Sequence, residues 1–293
     1  MQTHNAGRGA VVVTGASSGI GQATAIRLAN SGYHVFAGVR KEADGAALQH
    51  QAGGAVTPLI LDVTDEPAIR EAAKVIEDSG LPLAGLVNNA GIGLTWPVEA
   101  IPLETLRWQY EVNVFGQVAV IQAFLPALRR AKGRIINIGS IGDRLTLPFA
   151  APLCSSKWAF ASITEALRME LHPWGIHTVL IEPATIRTAA VEKLRTDAEG
   201  VLEQMTEVQR AYYAVNYRAM TAKGYAREQG GSDPDAVAKV VLRALTAAKP
   251  ATRYKVGKDS GLLAFVARWL PDRTFDQIRF KLFGLPPKFG SAS

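Results

Sequence analysis

A chain of 293 residues that is 48% hydrophobic and 20% charged, with one cysteine and no low-complexity tract, can bury a full core and is neither disordered, collagen-like nor held by internal disulfides. Its formal net charge of +6 resides in the last segment: Lys249 to Ser293 hold nine Lys/Arg against three Asp/Glu, and the rest balances at 23 of each. No nucleic-acid module accompanies those bases and no Cys/His spacing suggests a metal, so neither nucleic acid nor metal is expected.

The first predicted element is an apolar run, Ala10 to Val13. It ends in Thr14-Gly15-Ala16-Ser17-Ser18-Gly19-Ile20-Gly21 and continues into a helix-period segment, Gln22 to Asn30. Strand, glycine turn and helix in that order form a pyrophosphate cradle. Glycines let the backbone approach the anion, and the helix start presents unpaired N–H groups and positive dipole density to it. A second strand, Val35 to Val39, follows at βαβ distance. An acidic residue at its end would bind the ribose 2′-hydroxyl of NAD(H); here Arg40-Lys41 come first and no carboxylate stands before Glu42. That pattern reads as NADP(H), with Ser17 as a second phosphate contact.

Further strands are predicted at Val56–Leu61, Gly85–Asn88, Arg134–Ile138, Thr178–Ile181 and Thr252–Val256. Helices fill the intervals, notably Pro67–Ser79, Leu103–Arg129 and Ser155–Leu171. The alternation predicts an α/β fold: a single doubly wound Rossmann-fold domain over 1–293, with a parallel seven-stranded sheet covered on both faces. Ligands lie beyond the carboxyl ends of such strands, where the glycine turn, Asn88–Gly91, Ser140 and Pro183 should meet.

Residues 189–231 change character. They hold Glu192, Lys193, Arg195, Asp197, Glu199 and Glu203, then Tyr212, Tyr213 and Tyr217, and are expected to form a helical substrate lid. Its tyrosines either meet a bulky apolar ligand or pack the lid onto the sheet. Asp233-Pro234-Asp235 starts another helix, to about Ala247, with an acidic first turn that suits its dipole.

From Gly7 to about Thr188 the chain resembles the short-chain dehydrogenase/reductase family, and in particular its hydroxysteroid and retinol dehydrogenase-like members. Thr14-Gly15 to Gly19-Ile20-Gly21 is similar to the family's glycine motif, Leu61-Asp62-Val63 to the segment whose aspartate contacts adenine, and Asn88-Asn89-Ala90-Gly91 to its central-strand signature. Asn113 falls where the helix asparagine belongs, Ser140 where the catalytic serine follows its strand, and Lys157 where the motif lysine stands. Pro183-Ala184-Thr185-Ile186-Arg187-Thr188 resembles the segment that closes over the nicotinamide.

The resemblance implies a cofactor site of Gly15, Ser17, Ser18, Gly19, Ile20, Gly21, Arg40, Asp62, Val63, Asn89, Ala90, Gly91, Lys157, Pro183, Ile186 and Thr188. It implies a catalytic set of Asn113, Ser140 and Lys157, with hydride passing between NADPH and a ketone, aldehyde or secondary alcohol of a bulky apolar substrate. It also implies a homo-oligomer formed through Leu103–Arg129 and Ser155–Leu171.

The departure is Leu153. In the family a tyrosine precedes the lysine by one helical turn, so both side chains project from one face, and Ala151-Pro152-Leu153-Cys154-Ser155-Ser156-Lys157 puts leucine there. The spacing from Ser140 agrees, and no tyrosine lies between Ser140 and Lys157. The family's tyrosine exchanges a proton with the substrate oxygen, its phenol lowered from near pH 10 by the neighbouring ammonium and the cofactor. Leucine has no proton to exchange, and losing general acid–base assistance costs about 10²–10⁴-fold. Three readings stay open: a replaced residue in an ordinary reductase, a native leucine in a protein that binds NADP(H) without turnover, and a native leucine in a pocket running non-redox chemistry with Ser140, Asp143 or Arg144 as polar contacts.

Other candidates have plainer readings. Cys154 should pack inside as a small apolar residue, Tyr110 should belong to the core or an interface, and Asp143 with Arg144 should form an exposed loop ion pair. His172 and His177 flank a turn and are not expected to be catalytic. The C-terminal extension 249–293 mixes basic residues with Leu262 to Leu270 and Phe280-Lys281-Leu282-Phe283; it either makes a weak peripheral contact with an anionic membrane, guards the substrate mouth, or packs on the domain or a partner subunit. Met1 to Gly9 lacks an apolar stretch and no run approaches a spanning helix in length. With a lone cysteine, the expected protein is soluble and cytoplasmic.

Overall fold

The structure, a computed structural model, describes residues 7–53, 55–286 and 288, with the backbone alone described over 189–195. Seven strands, β1 (Ala10–Val13), β2 (His34–Val39), β3 (Val56–Ile60), β4 (Leu83–Asn88), β5 (Arg134–Ile138), β6 (His177–Pro183) and β7 (Arg253–Val256), form one parallel sheet ordered β3-β2-β1-β4-β5-β6-β7. Between them run α1 (Gly19–Asn30), α2 (Glu42–Gln51), α3 (Glu66–Asp78), α4 (Leu103–Tyr110), α5 (Gly116–Ala131) and α6 (Ala151–Glu170). After β6 come α7 (Ala189–Glu203), α8 (Glu207–Gln229) and α9 (Pro234–Thr246), and after β7 come α10 (Ser260–Trp269) and α11 (Asp272–Phe283).

Alternation along the strands serves two cores. In β1, Val11 and Val13 share a cluster with Ala25 and Leu28 of α1 and Val237, Val241 and Leu245 of α9. Ala10 and Val12 share the other with Ile69 and Ile76 of α3 and Val120, Phe124 and Leu128 of α5. A strand covered on both faces favours apolar residues, and β1 contains no polar residue. Strand order turns back at β1 and β4, and the crevice beyond their carboxyl ends is where such sheets take ligands.

The predicted helix Leu103–Arg129 is three pieces: α4, a π-helical turn over Glu111–Phe115, and α5. Such a bulge inserts an extra residue per turn and re-aims side chains, a feature frequent at functional sites; here it carries Asn113. The stretch Leu103–Ala131 is, by length and composition, apolar enough to cross a bilayer, contrary to the expectation that no run would be. Its apolar face is spent on the sheet through Val112, Val120, Ile121, Phe124 and Leu128, so it serves as a core helix.

The helix predicted from Ser155 starts at Ala151, because Pro152 sits in the first turn, where its missing N–H removes no helical bond. Leu153 is therefore inside the helix that carries Lys157. A third cluster joins Trp96, Leu202, Met205, Tyr217 and Met220 to Phe283 of α11, so α11 braces the segment read as a lid.

Candidate active site

At the end of β1 the chain turns through Gly15 at φ +63°, where a Cβ would stand 2.8 Å from Ala90 Cα. Only glycine allows that approach. A Cβ at Gly21 would run into the Gly15 carbonyl oxygen, so α1 and the turn can pack this closely only without side chains. Thr14 Oγ1 accepts from the N–H groups of Asn89 and Ala90, both at 3.0 Å, and Asn89 Nδ2 donates to the carbonyls of Thr14 (3.0 Å) and Gly15 (3.1 Å). The segment after β4 thus fixes the glycine turn from behind.

Ser18 caps α1 without a side-chain bond to its first turn, and Ser17 and Ser18 are exposed. Gly19, with Ile20 beside it, faces Thr188 across the cradle, a Cβ there standing 3.4 Å from the Thr188 methyl. Arg40 is exposed at the end of β2, Val63 is buried, and Asp62 Oδ1 accepts from Thr64 N and Oγ1. A pocket that glycines keep open beneath a helix N-terminus fits a dinucleotide pyrophosphate.

The second half of the site forms where β4, β5 and α6 meet. A buried polar chain sets α6 against the sheet: Asn88 Nδ2 donates to Asn137 Oδ1 (3.1 Å), and Asn137 Nδ2 to Thr164 Oγ1 (2.9 Å). Asn113 holds the loop after Gly91 with both ends of its amide, accepting from Ile92 N and donating to Ile92 O, each at 2.9 Å; it also donates to Ser156 Oγ at 3.2 Å. Gln109 repeats the pattern one turn earlier, on Ile92 O and Leu94 N.

Lys157 Nζ donates to Ile138 O at 2.9 Å. Gly91 lies between the two polar ends, since its Cβ would meet Asn113 Oδ1 at 3.2 Å and Lys157 Nζ at 3.8 Å. Asn113 and Lys157 thus border the same space without bonding each other directly. Ser140 caps a 3₁₀ turn, its Oγ accepting from Gly142 N at 2.9 Å. Leu153, one turn before Lys157, reaches toward Gly93, whose Cβ would stand 3.5 Å from a leucine methyl.

Electrostatics at the site centre on Asp143, and here the structure corrects the sequence. Asp143 is buried, and Arg144 pairs not with it but with Glu182 of β6, at 2.6 and 3.1 Å. Arg253 of β7 binds Glu182 at 2.6 Å and Glu165 at 2.7 Å, and lies 3.6 Å from Asp143. The expectation of an exposed pair rested on adjacency in sequence; the sheet instead brings Glu182 and Arg253 from neighbouring strands.

Among the described residues neither oxygen of Asp143 accepts a hydrogen bond. Glu182 has both arginines, Arg144 and Arg253, as partners. Burial first, then the charge of Glu182, push Asp143 up to about 8, against the pull of Arg253. The Lys157 ammonium is densely packed although part of the residue reaches solvent; burial lowers it to about 8, opposed by the charge of Asp143. Cys154 is buried as expected, and its thiol is raised chiefly by burial.

After Pro183 at the end of β6, the chain is pinned by Glu228 and Ser232. Ile186 N donates to Glu228 Oε2 (3.2 Å) and Arg187 N to Ser232 O (3.0 Å). Burial lifts Glu228 to about 7, with the Ile186 N–H opposing. Thr188 caps α7, and the side chains of Glu192, Lys193 and Arg195 lie outside the described residues. The lid tyrosines divide: Tyr217 is fully buried and donates to Thr95 O at 2.9 Å, Tyr213 donates to Glu99, and Tyr212 points to solvent. Tyr217 therefore packs the lid rather than presenting a ring to a ligand. Tyr110 is half-buried. A surface cavity of about 340 Å³ lined by Arg168, His172, Ile176, His177 and Thr252 lies at the amino-terminal ends of β6 and β7, the edge opposite the site, which places both histidines away from the chemistry.

A doubly wound sheet with a glycine-lined anion cradle, and with a serine and a lysine beyond its carboxyl edge, defines a dinucleotide-binding protein of oxidoreductase architecture. Residues 9–199 match the family described as short chain dehydrogenase, and the chain belongs to that family. It is 34% identical over 92% of its length, and 95% of the relative's, to an NADPH-dependent 3-dehydrocapnine reductase of Ornithobacterium rhinotracheale. It is 35% identical to human 17-beta-hydroxysteroid dehydrogenase type 1, over 84% of this chain and 76% of that one. A short chain dehydrogenase of Burkholderia cenocepacia in complex with NADP superposes with a TM-score of 0.70 at 27% identity, covering 92% of this chain and 96% of the other.

Proposed function

We propose that the protein is an NADP(H)-binding short-chain oxidoreductase framework for a ketone or aldehyde of a bulky apolar substrate, or the corresponding secondary alcohol, with proton transfer severely impaired by Leu153. The observation that carries this reading is the first part of α6: Lys157 bordering the space kept open by Gly91, and Leu153 one turn earlier against Gly93. The first-turn amides of α1 would hold the pyrophosphate, Arg40 and Ser17 the 2′-phosphate, Asp62 and Val63 the adenine end. Asn89 to Gly91 and Lys157 would hold the nicotinamide ribose, with Pro183, Ile186 and Thr188 beside the ring. NADP(H), when bound, supplies or accepts the hydride.

The chain's own residues do the rest. Ser140 orients the substrate oxygen through its hydroxyl proton, Lys157 adds positive charge, and Asn113 fixes the wall of the pocket. A hydroxyl is a poor acid by itself, so the proton step is the one that fails. NADPH-dependent and hydroxysteroid-type relatives support the cofactor and the substrate class.

The test is Leu153→Tyr, following NADPH oxidation at 340 nm against steroid, retinoid and aliphatic carbonyls, after NADPH binding by both forms is confirmed. The expected gain in turnover is about 10²–10⁴-fold. If both forms bind NADPH and neither turns over, the reductase reading fails, and binding without redox chemistry replaces it.

A further inference from the structure

The C-terminal extension presents an apolar face that the fold does not use. On α10, Leu262, Phe265 and Trp269 recur at intervals of three and four, which places them in one stripe. They are 64%, 63% and 66% exposed, whereas Ser260 and Ala264 of the same helix are buried. On α11, Ile278 and Leu282 are exposed one turn apart, while Phe275 and Phe283 turn inward.

The same C-terminal segment carries Lys255, Lys258, Arg268, Arg273 and Lys281, all exposed and without an ion pair among the described residues. The local acids do not offset them: Asp259 pairs with Arg227, Asp276 pairs with Arg279, and Asp272 opens α11, where it complements the dipole. The same helices border the site. α10 packs on the turn that follows Ser140, Arg279 donates to Thr146 O at 2.6 Å, and Phe283 enters the lid core.

We propose that the α10 stripe and its basic surround dock on an anionic lipid bilayer, seating the mouth of the site at the membrane surface, where an apolar carbonyl compound dissolves. The route of the substrate rests on the apolar-substrate reading above; the docking rests on the exposed face alone. Charge selects the occupant. In a two-fold contact between copies the same patch would face itself, bringing unpaired cations against their own counterparts, whereas acidic headgroups supply the opposite sign. The stripe suits the interface in kind: a helix with leucine, phenylalanine and tryptophan on one side and arginine beside them, with the Arg268 guanidinium 5.6 Å from the Trp269 ring centre.

The experiment is co-sedimentation of the full chain with phosphatidylcholine vesicles, with and without phosphatidylserine, at low and high salt. Acidic vesicles should carry the protein down at low salt and release it as salt rises. Phe265→Ser with Trp269→Ser should weaken partitioning about tenfold or more, and each of Arg268→Gln, Arg273→Gln and Lys281→Gln about fivefold. Because these positions are exposed, the melting curves of the variants should match the parent. Absence of binding to acidic vesicles at low salt overturns the proposal, as does equal binding to neutral ones. A fall in native mass of the double serine variant without lipid would assign the face to a second copy instead. Sedimentation reads docking whether or not Leu153→Tyr turns over, so the two failures are distinguishable.

Discussion

Replacing Asp143 by asparagine tests the electrostatic account of the site. In the folded protein Asp143 keeps its proton up to about 8, against 3.8 for the ordinary side chain. A value raised by folding means that its stabilisation is complete below the unfolded value and is lost as pH rises through the folded one. The interval corresponds to at most about 6 kcal/mol, of which about 4 kcal/mol is lost between about pH 5 and pH 8. Asparagine preserves the shape yet has no proton to lose. Measured against their difference at pH 5, the variant should therefore gain steadily on the parent above pH 5, by about 2 °C for each kcal/mol, or about 8 °C by pH 8, and level off beyond it. Lys157 works the other way, since its value lowered to about 8 favours the folded state as pH rises from there. That contribution begins above about pH 8, so the comparison is read below it. Circular dichroism melts from pH 5 to 9 decide the matter: curves that stay parallel, or a variant that loses ground in alkali, would show that Asp143 is ionised in the native state.

Arg40→Asp should weaken NADPH about tenfold to a hundredfold, the worth of a charge-assisted bond, and should leave NADH much less affected; fluorescence titrations that show equal losses would remove Arg40 from the 2′-phosphate site. Leu103, Trp108 and Phe115 are exposed around the α4 and π-helical segment, as is Trp158 on α6, which supports self-association through these helices. Sedimentation velocity should show an oligomer that Trp108→Lys with Phe115→Lys converts to monomer, and a monomeric parent at micromolar concentration would refute it.

How much was legible in the sequence depended on whether the cause was local. The strands were readable because β1 is buried and wholly apolar, and β2 and β6 have buried apolar centres over Val35–Val39 and Val179–Ile181. The glycine turn was readable because backbone contact at Gly15 and Gly21 leaves no other residue type. The Asp143, Glu182 and Arg253 cluster was not, because its members come from three segments that only the β5-β6-β7 register brings together. Glu228 was hidden for the same reason: it sits on α8 and acts on the backbone at Ile186. Tyr217 carried a weak signal, since an aromatic in a lid serves packing and ligand contact alike until its hydroxyl finds Thr95. The π turn at Asn113 left none, because its hydrophobic spacing still reads as helix.

Leucine at 153 alters more than the supply of protons. The lysine one turn away already has a densely packed ammonium, and an isobutyl group beside it offers neither a hydrogen bond nor a path for water. That agrees with burial as the chief cause that brings Lys157 down to about 8, with the charge of Asp143 as the opposing influence. Lys157 and Asp143 thus change charge over the same interval, one becoming neutral and the other negative as pH rises. NADPH, which carries several phosphates, should therefore bind less tightly as pH rises through about 8, and fluorescence titrations from about pH 6 to 9 that show a constant affinity would refute this.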